Sequence, residues 1–287
     1  MPEILLMPVD FFQTLPASLI PARCLSRWMG ALADIRTPAI KNFFIRTFIR
    51  RYGVNMAEAL HARPEDYDTF NDFFTRQLKP QCRPQANAGI VSPVDGCVSQ
   101  IGRIDENRLI QAKGHSYTLE ALLANDPLTP AFTDGFFTTL YLSPRDYHRI
   151  HMPLAGRLTH MTYIPGSLFS VKPKTVNAIP GIFARNERLA LYFDTAHGPL
   201  ALVMVGAVIV GSIATSWEGD ITRGNHVWTR RYDSASDLSL DKGASVGYFK
   251  LGSTVIVLLG KTSQATWNHS LTEGSAVRVG EVLGEFA

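Results

Sequence analysis

Three residue types that can act together on a carbonyl occur along this chain in the order Asp95, His151, Ser253. Ser253 follows Gly252 and stands at the mouth of an apolar run, Val255-Ile256-Val257-Leu258-Leu259, which reads as a buried strand. Glycine permits backbone geometry that other residues resist, and it leaves its own carbonyl without a side chain to shield it. The hydroxyl of the next residue can attack that carbonyl once a base takes its proton. Taken alone, Gly-Ser-Thr before a strand is equally a turn signal. His151 offers a base, and Asp95 in Ser92-Pro93-Val94-Asp95-Gly96 offers a carboxylate to orient it. Asp-Gly is itself a common turn. The types are present, and the sequence does not show that they meet.

His148 lies three residues before His151 in Leu142-Ser143-Pro144-Arg145-Asp146-Tyr147-His148-Arg149-Ile150-His151-Met152-Pro153. Ser143 as N-cap, Pro144 as first helical residue and Pro153 as stop predict a short helix around Pro144–Ile150. At i and i+3 the two histidines would share a face of it. Arg145 and Arg149 would form a second facing pair, suited to a phosphate or a carboxylate. The histidines also admit a reading as plain surface residues or as metal ligands. No third ligand stands close in sequence, so no metal is expected.

The elements that must position these residues change character along the chain. Residues 1–55 read as helical. Pro21 opens one predicted helix with Leu25, Trp28, Met29 and Leu32 on a face, and Pro38 opens the next with Phe44, Ile45, Phe48 and Ile49 together. Arg46 and Arg50 fall on another side, and Gly53 ends the pattern. The helical reading continues over 56–84, where Tyr67–Leu78 carries an aromatic face and Pro80 and Pro84 close it. From Ile90 to Ala287 short strands alternate with Gly, Pro, Asn and Asp turns, with a short helix at Leu119–Leu123. The expected fold is therefore α+β: N-terminal amphipathic helices followed by a β-rich, mainly antiparallel catalytic core. The expected division is 1–60 for the helical segment and 61–287 for the core.

Composition narrows the class. The 287 residues are 46% hydrophobic, enough for a sizeable core. Net charge is only +3, yet residues 1–51 hold seven basic against three acidic side chains. A basic end rich in aromatic and aliphatic bulk points to an anionic membrane surface, with no nucleic acid expected. Cys24, Cys82 and Cys97 make neither a zinc pattern nor a disulfide framework, which fits a reducing setting. Glu3, Pro8 and Asp10 do not fit a signal peptide. Gly198–Trp217 is 20 residues without a charge, the length of a membrane-spanning helix. Its Val and Ile content and the breaks at Gly206 and Gly211 predict two buried strands instead.

A wider set of blocks now gives the candidate residues a context. Leu251-Gly252-Ser253-Thr254 resembles the self-cleavage motif of pyruvoyl-dependent phosphatidylserine decarboxylases of the bacterial, membrane-associated type. Phe70-Asn71-Asp72-Phe73-Phe74-Thr75-Arg76, Ser92–Gly96, Gln111-Ala112-Lys113-Gly114, Ser143–Pro153 and Phe183-Ala184-Arg185-Asn186-Glu187-Arg188 are similar to that family too, in its order. Tyr248 and Lys172-Pro173-Lys174 depart from its pattern. The resemblance implies a zymogen that cuts itself between Gly252 and Ser253 into a large subunit, 1–252, and a small one, 253–287. It implies that His151 activates Ser253, that Asp95 orients His151, and that Ser253 becomes a covalent pyruvoyl cofactor. It implies decarboxylation of phosphatidylserine to phosphatidylethanolamine through a Schiff base, within phospholipid biosynthesis, with His148 protonating the product carbanion. A peripheral place on the cytoplasmic side of the cell membrane and a homodimer are the further expectations. The other chemistry the same residues permit is an Asp-His-Ser hydrolase acting on an external ester. Against it, Leu251-Gly252-Ser253-Thr254-Val255 lacks the second glycine of a nucleophile elbow.

Overall fold

A computed structural model describes residues 30–112, 114–207, 212–233, 238–250 and 253–287. Of the helix expected from Pro21 only the end, residues 30–33, is described, and it is helical; Lys113 and Gly252 fall outside the described residues.

Pro38 opens the helix Pro38–Tyr52, and Gly53 closes it at φ 67° with its N–H on the Ile49 carbonyl. Lys41, Ile45 and Phe48 are buried on one face. Phe48 packs edge-on against Phe70, Phe73 and Phe74 at centroid distances of 5.2, 6.0 and 5.8 Å. With Val54 and Tyr67 these rings form a small core of their own. The expected helix over 56–84 is not continuous: its α-helical part is Phe70–Phe74, N-capped by the Thr69 hydroxyl. Pro64 and Pro80 instead begin single 3-10 turns, and Ala59 bridges Leu78 as a short antiparallel pair. Proline at those spacings removes the donors that a longer helix needs.

The rest of the chain is strand and turn. Its first strands are β1 (Ile90–Val91), β2 (Gly96–Arg103), β3 (Arg108–Ala112), β4 (His115–Thr118), β5 (Phe136–Leu142), β6 (Arg149–His151) and β7 (Gly156–Ile164). The middle ones are β8 (Arg188–Thr195), β9 (Gly198–Val205), β10 (Ile213–Thr215), β11 (Gly219–Asp220), β12 (Trp228–Arg231) and β13 (Ser239–Leu240). The last are β14 (Ser245–Phe249), β15 (Ser253–Leu259), β16 (Ala265–Trp267), β17 (Ala276–Val277) and β18 (Val282–Phe286). A nine-stranded sheet runs β12-β7-β8-β9-β15-β5-β2-β17, with β13 on β7. A four-stranded sheet runs β11-β10-β14-β6, and β1-β18-β16 and β3-β4 make two smaller ones. The pairings within these sheets are antiparallel, as expected.

All seven residues of β15 are buried between β9 and β5. A central strand covered on both faces loses the polar alternation of a half-exposed one, so its sequence is a continuous apolar run. The uncharged stretch 198–217 likewise contains β9 and β10, two strands with the described residues between them non-helical. Among the described residues no helix is long and apolar enough to cross a membrane.

Candidate active site

Ser253 opens β15, opposite the last residue of β5, in the register Ser253↔Leu142. The chain then leaves β5, turns through 143–148 and enters β6 in the other sheet. β6 pairs with β14, with Arg149 opposite Tyr248 and His151 opposite Ser245. β14 ends at Phe249 in this second sheet, and β15 begins at Ser253 in the first. The Phe249 N–H donates to the His148 carbonyl at 3.2 Å, which ties the end of β14 to the turn after β5. Residues about a hundred apart in sequence thus form one corner, with the histidines following β5 and Ser253 opening β15 opposite the end of β5.

The histidine block is not the short helix its capping residues predict. The Asp146 N–H reaches the Ser143 carbonyl at 2.9 Å and the Ser143 N–H reaches the Asp146 carboxylate at 2.7 Å, closing a turn. Arg149–His151 is then drawn into strand pairing with β14, and this ladder outweighs the local helical signal. The two histidines therefore do not share a helical face. His148 precedes the strand and its ring packs on Phe74 at 4.1 Å, while His151 ends the strand beside Tyr147 at 5.6 Å. Nor do Arg145 and Arg149 make a fork: the Arg149 Nε donates to the Thr75 carbonyl at 2.8 Å, and the Arg145 side chain is exposed.

His148 is fully buried. Its Nδ1 faces the Asp146 carbonyl at 2.8 Å, so the proton sits on Nδ1 and Nε2 keeps the lone pair. That Nε2 has no hydrogen-bond partner among the described residues. Burial pushes the His148 pKa down to about 3; the Asp146 carbonyl opposes the shift and the Arg76 charge adds to it. His151 is held below the usual imidazole value, first by burial and further by Arg149, while the Gly243 carbonyl and Asp95 pull the other way. Its Nδ1 donates to the Gly243 carbonyl at 2.8 Å, and its Nε2 lies 3.0 Å from the Tyr147 hydroxyl. Both rings are thus neutral and able to accept a proton.

Asp95 is close enough to act on His151 electrostatically, but its hydrogen bonds go elsewhere. The Arg83 Nε spans both carboxylate oxygens at 2.9 and 3.1 Å, Arg83 Nη2 adds a further contact, and the Val279 N–H donates at 2.9 Å. Arg83 continues to Glu58 at 2.8 Å. Both nitrogens of His151 are occupied by Gly243 and Tyr147 rather than by Asp95. Ser253 is fully buried, and its Oγ has no partner among the described residues.

Two residues of the corner were missed by sequence reasoning. Tyr147 was visible as the neighbour of His148. Arg83, twelve residues before Asp95, had no local signal at all. Conversely, two blocks that resemble the family have structural duties. Gln111 donates to the Val176 and Ile179 carbonyls at 2.7 and 2.8 Å and accepts from the Ile182 N–H at 2.9 Å. Asn186 donates to the Phe169 and Gly206 carbonyls, both at 2.9 Å.

The fold and the corner suit an enzyme of antiparallel β architecture, with two neutral histidines after β5 and a fully buried serine at the head of β15. Comparison with known proteins narrows that class. A family model described as phosphatidylserine decarboxylase matches residues 70–285, and one described as PSD matches residues 12–53. A phosphatidylserine decarboxylase proenzyme of Legionella pneumophila (strain Lens) is 49% identical over 278 residues, covering 96% of this chain and 98% of the relative. Proenzymes of the same name from Bordetella petrii and Bordetella pertussis are 52% and 53% identical over 269 and 271 residues, covering 92% of this chain and 93% and 91% of the relatives. The chain belongs to the phosphatidylserine decarboxylase family.

Proposed function

We propose that the chain is a proenzyme that cuts itself between Gly252 and Ser253 and then decarboxylates phosphatidylserine to phosphatidylethanolamine. The observation that carries this reading is the state of Ser253: fully buried at the head of a central strand, with an Oγ that has no partner among the described residues. In the uncut chain an external ester has no approach to such a hydroxyl, whereas phosphatidylserine needs one only after the cut. The carbonyl of its own neighbour needs none, which weighs against the hydrolase. The relatives are also named as proenzymes.

In the first stage Ser253 Oγ forms a bond to the Gly252 carbonyl carbon, and the peptide C–N bond breaks to leave an ester and a free amine. His151 takes the hydroxyl proton through Nε2 and returns it to the leaving nitrogen. Loss of the Ser253 α-proton then expels Gly252 as a carboxylate and leaves dehydroalanine. Hydrolysis of that residue releases ammonia and leaves a pyruvoyl group at the new N-terminus. Residues 253–287 become the small subunit. The site fits this change: Ser253 Oγ makes no hydrogen bond among the described residues that conversion would break.

The pyruvoyl ketone supplies an electron sink for the carbanion left when carbon dioxide departs. The chain's own part is to exclude water and move protons. His148 is placed to take up a solvent proton on its idle Nε2 and pass it to that carbon, and burial, which lowers its pKa to about 3, makes the protonated ring a strong acid. Peripheral attachment to an anionic membrane belongs to the same proposal. It is supported by exposed Leu32, Ile40 and Phe43 beside Arg36, Arg46 and Arg50 in the helical segment.

The denatured mass tests the first stage. Wild-type protein is expected to give two chains, the smaller being residues 253–287 at about 3.9 kDa by proportion of the 31.7 kDa total. It should be blocked to N-terminal sequencing and labelled by a carbonyl reagent. Ser253→Ala is expected to give one uncut, inactive chain. A single unlabelled chain from folded wild type would sink the proposal.

A further inference from the structure

Beside the histidine corner lies a cavity of about 550 Å³ with a cation that self-cleavage does not use. Its walls include Arg76, Asp95, Cys97, Arg145, Tyr147 and Arg278. Arg76 is 4% exposed. One nitrogen, Nη2, donates to the Arg145 carbonyl at 3.3 Å, and the guanidinium carbon sits 5.4 Å from the Phe73 ring centroid. Nε and Nη1 have no partner among the described residues. The other guanidiniums of the cavity are differently placed. Arg83 is engaged by Asp95 and Glu58, whereas Arg145 and Arg278 are largely exposed at the rim, 3.8 Å from Asp146 and 3.7 Å from Glu58. A buried cation with two idle donors is unfavourable unless an anion completes it.

We propose that this cavity is the phosphodiester subsite of the substrate, with Arg76 as its buried cation and Arg145 and Arg278 at its rim. The proposal rests on the decarboxylase reading and adds which end of the headgroup the cavity takes. A phosphatidylserine headgroup presents two anions, a carboxylate and a phosphodiester. Arginine on the carboxylate would favour a charge that is lost as carbon dioxide leaves, stabilising the ground state over the transition state. Arginine on the phosphodiester anchors the headgroup without that opposition. The cavity and the histidine corner belong together electrostatically, since the Arg76 charge acts on His148 and Tyr147 is common to both.

Cys97 provides a readout in the unaltered full chain, because it lines the cavity and is a free thiol. Its alkylation rate is followed by peptide mass mapping, with Cys82 as internal control. Glycerophosphoethanolamine, a phosphodiester without a carboxylate, is expected to slow labelling of Cys97 and leave Cys82 unchanged. Serine, a carboxylate without a phosphate, is expected to leave both unchanged. In Arg76→Gln the protecting concentration is expected to rise about tenfold to a hundredfold, with partial recovery in Arg76→Lys. Protection by serine alone would overturn the assignment, as would no protection by glycerophosphoethanolamine in wild type. Equal protection by inorganic phosphate would make this a free-phosphate site and overturn the headgroup claim. The same samples are scored for self-cleavage by mass. An uncut wild-type chain refutes the proenzyme reading, whereas a cut chain with unprotected Cys97 refutes the subsite alone.

Discussion

Replacing Tyr147 by phenylalanine removes one oxygen, and the geometry gives the result a sign. The Gly243 carbonyl can only accept, so the His151 Nδ1 at 2.8 Å from it carries the ring proton. The lone pair is then on Nε2, and the Tyr147 hydroxyl at 3.0 Å donates to it. That bond stabilises the neutral ring and also occupies the electron pair that Ser253 needs. A neutral hydrogen bond contributes about 1 kcal/mol net, so Tyr147→Phe should lower stability by that amount, a melting shift of roughly 2–4 °C. The same ~1 kcal/mol no longer has to be given up to free the base, so cleavage at neutral to alkaline pH should quicken about fivefold. Burial holds the His151 pKa below its usual value. Losing a donor to the neutral ring lets that pKa rise, so the acid limb of the cleavage profile should move to higher pH. The assay is the time course of chain cutting after synthesis, followed by denaturing mass measurement across a pH series. Cleavage slowed tenfold or more at every pH, in a variant that still folds, would refute this reasoning. Tyr147 would then be relaying the proton between Ser253 and His151 rather than restraining the ring.

His148→Ala is expected to yield two chains that release no carbon dioxide from phosphatidylserine; an uncut product would exchange the roles assigned to the two histidines. The same variant has a stability signature. The folded pKa is about 3 and the unfolded one about 6.5, so the unfolded chain binds the extra proton between those values. Stability is therefore lost as pH falls through that window, by at most ~1.4 kcal/mol per pH unit for this group, and His148→Ala should flatten the loss in urea titrations. Arg83→Ala leaves the buried Asp95 carboxylate without its guanidinium, and denaturant unfolding should show about 3–5 kcal/mol lost. A loss below ~1 kcal/mol would mean that Asp95 finds another partner, with Arg76 the buried cation whose charge it already feels.

Much of the architecture was legible because it depends on local, repeating chemistry. The helix Pro38–Tyr52 shows in its proline, its apolar period and its closing glycine. The strand Ser253–Leu259 shows in an unbroken apolar run, since a strand covered on both faces has nothing polar to alternate. The uncharged stretch 198–217 separated correctly into strands on its Val and Ile content. The helix expected over 56–84 failed because Pro64 and Pro80 leave only the five residues Phe70–Phe74 to be helical. The helix expected at Pro144–Ile150 failed for a different reason. Its Ser-Pro start is a sound local signal, but three residues gain more by pairing with Ser245–Tyr248, about a hundred residues away.

The sequence by itself determined which residue types are available: an unshielded Gly-Ser bond, two histidines close together, and a carboxylate in a tight turn. It also determined the family, through blocks that keep their order along the chain. Only the tertiary structure decided what each group touches. It seats Asp95 on Arg83, turns His151 toward Gly243 and Tyr147, and leaves His148, Ser253 and Arg76 with buried polar atoms that have no partner among the described residues. Those partners come from different strands that cross between two sheets at one corner. Hydrogen bonding and desolvation act over a few ångströms of space, whatever the distance along the chain, and so neither spacing nor composition can encode them visibly.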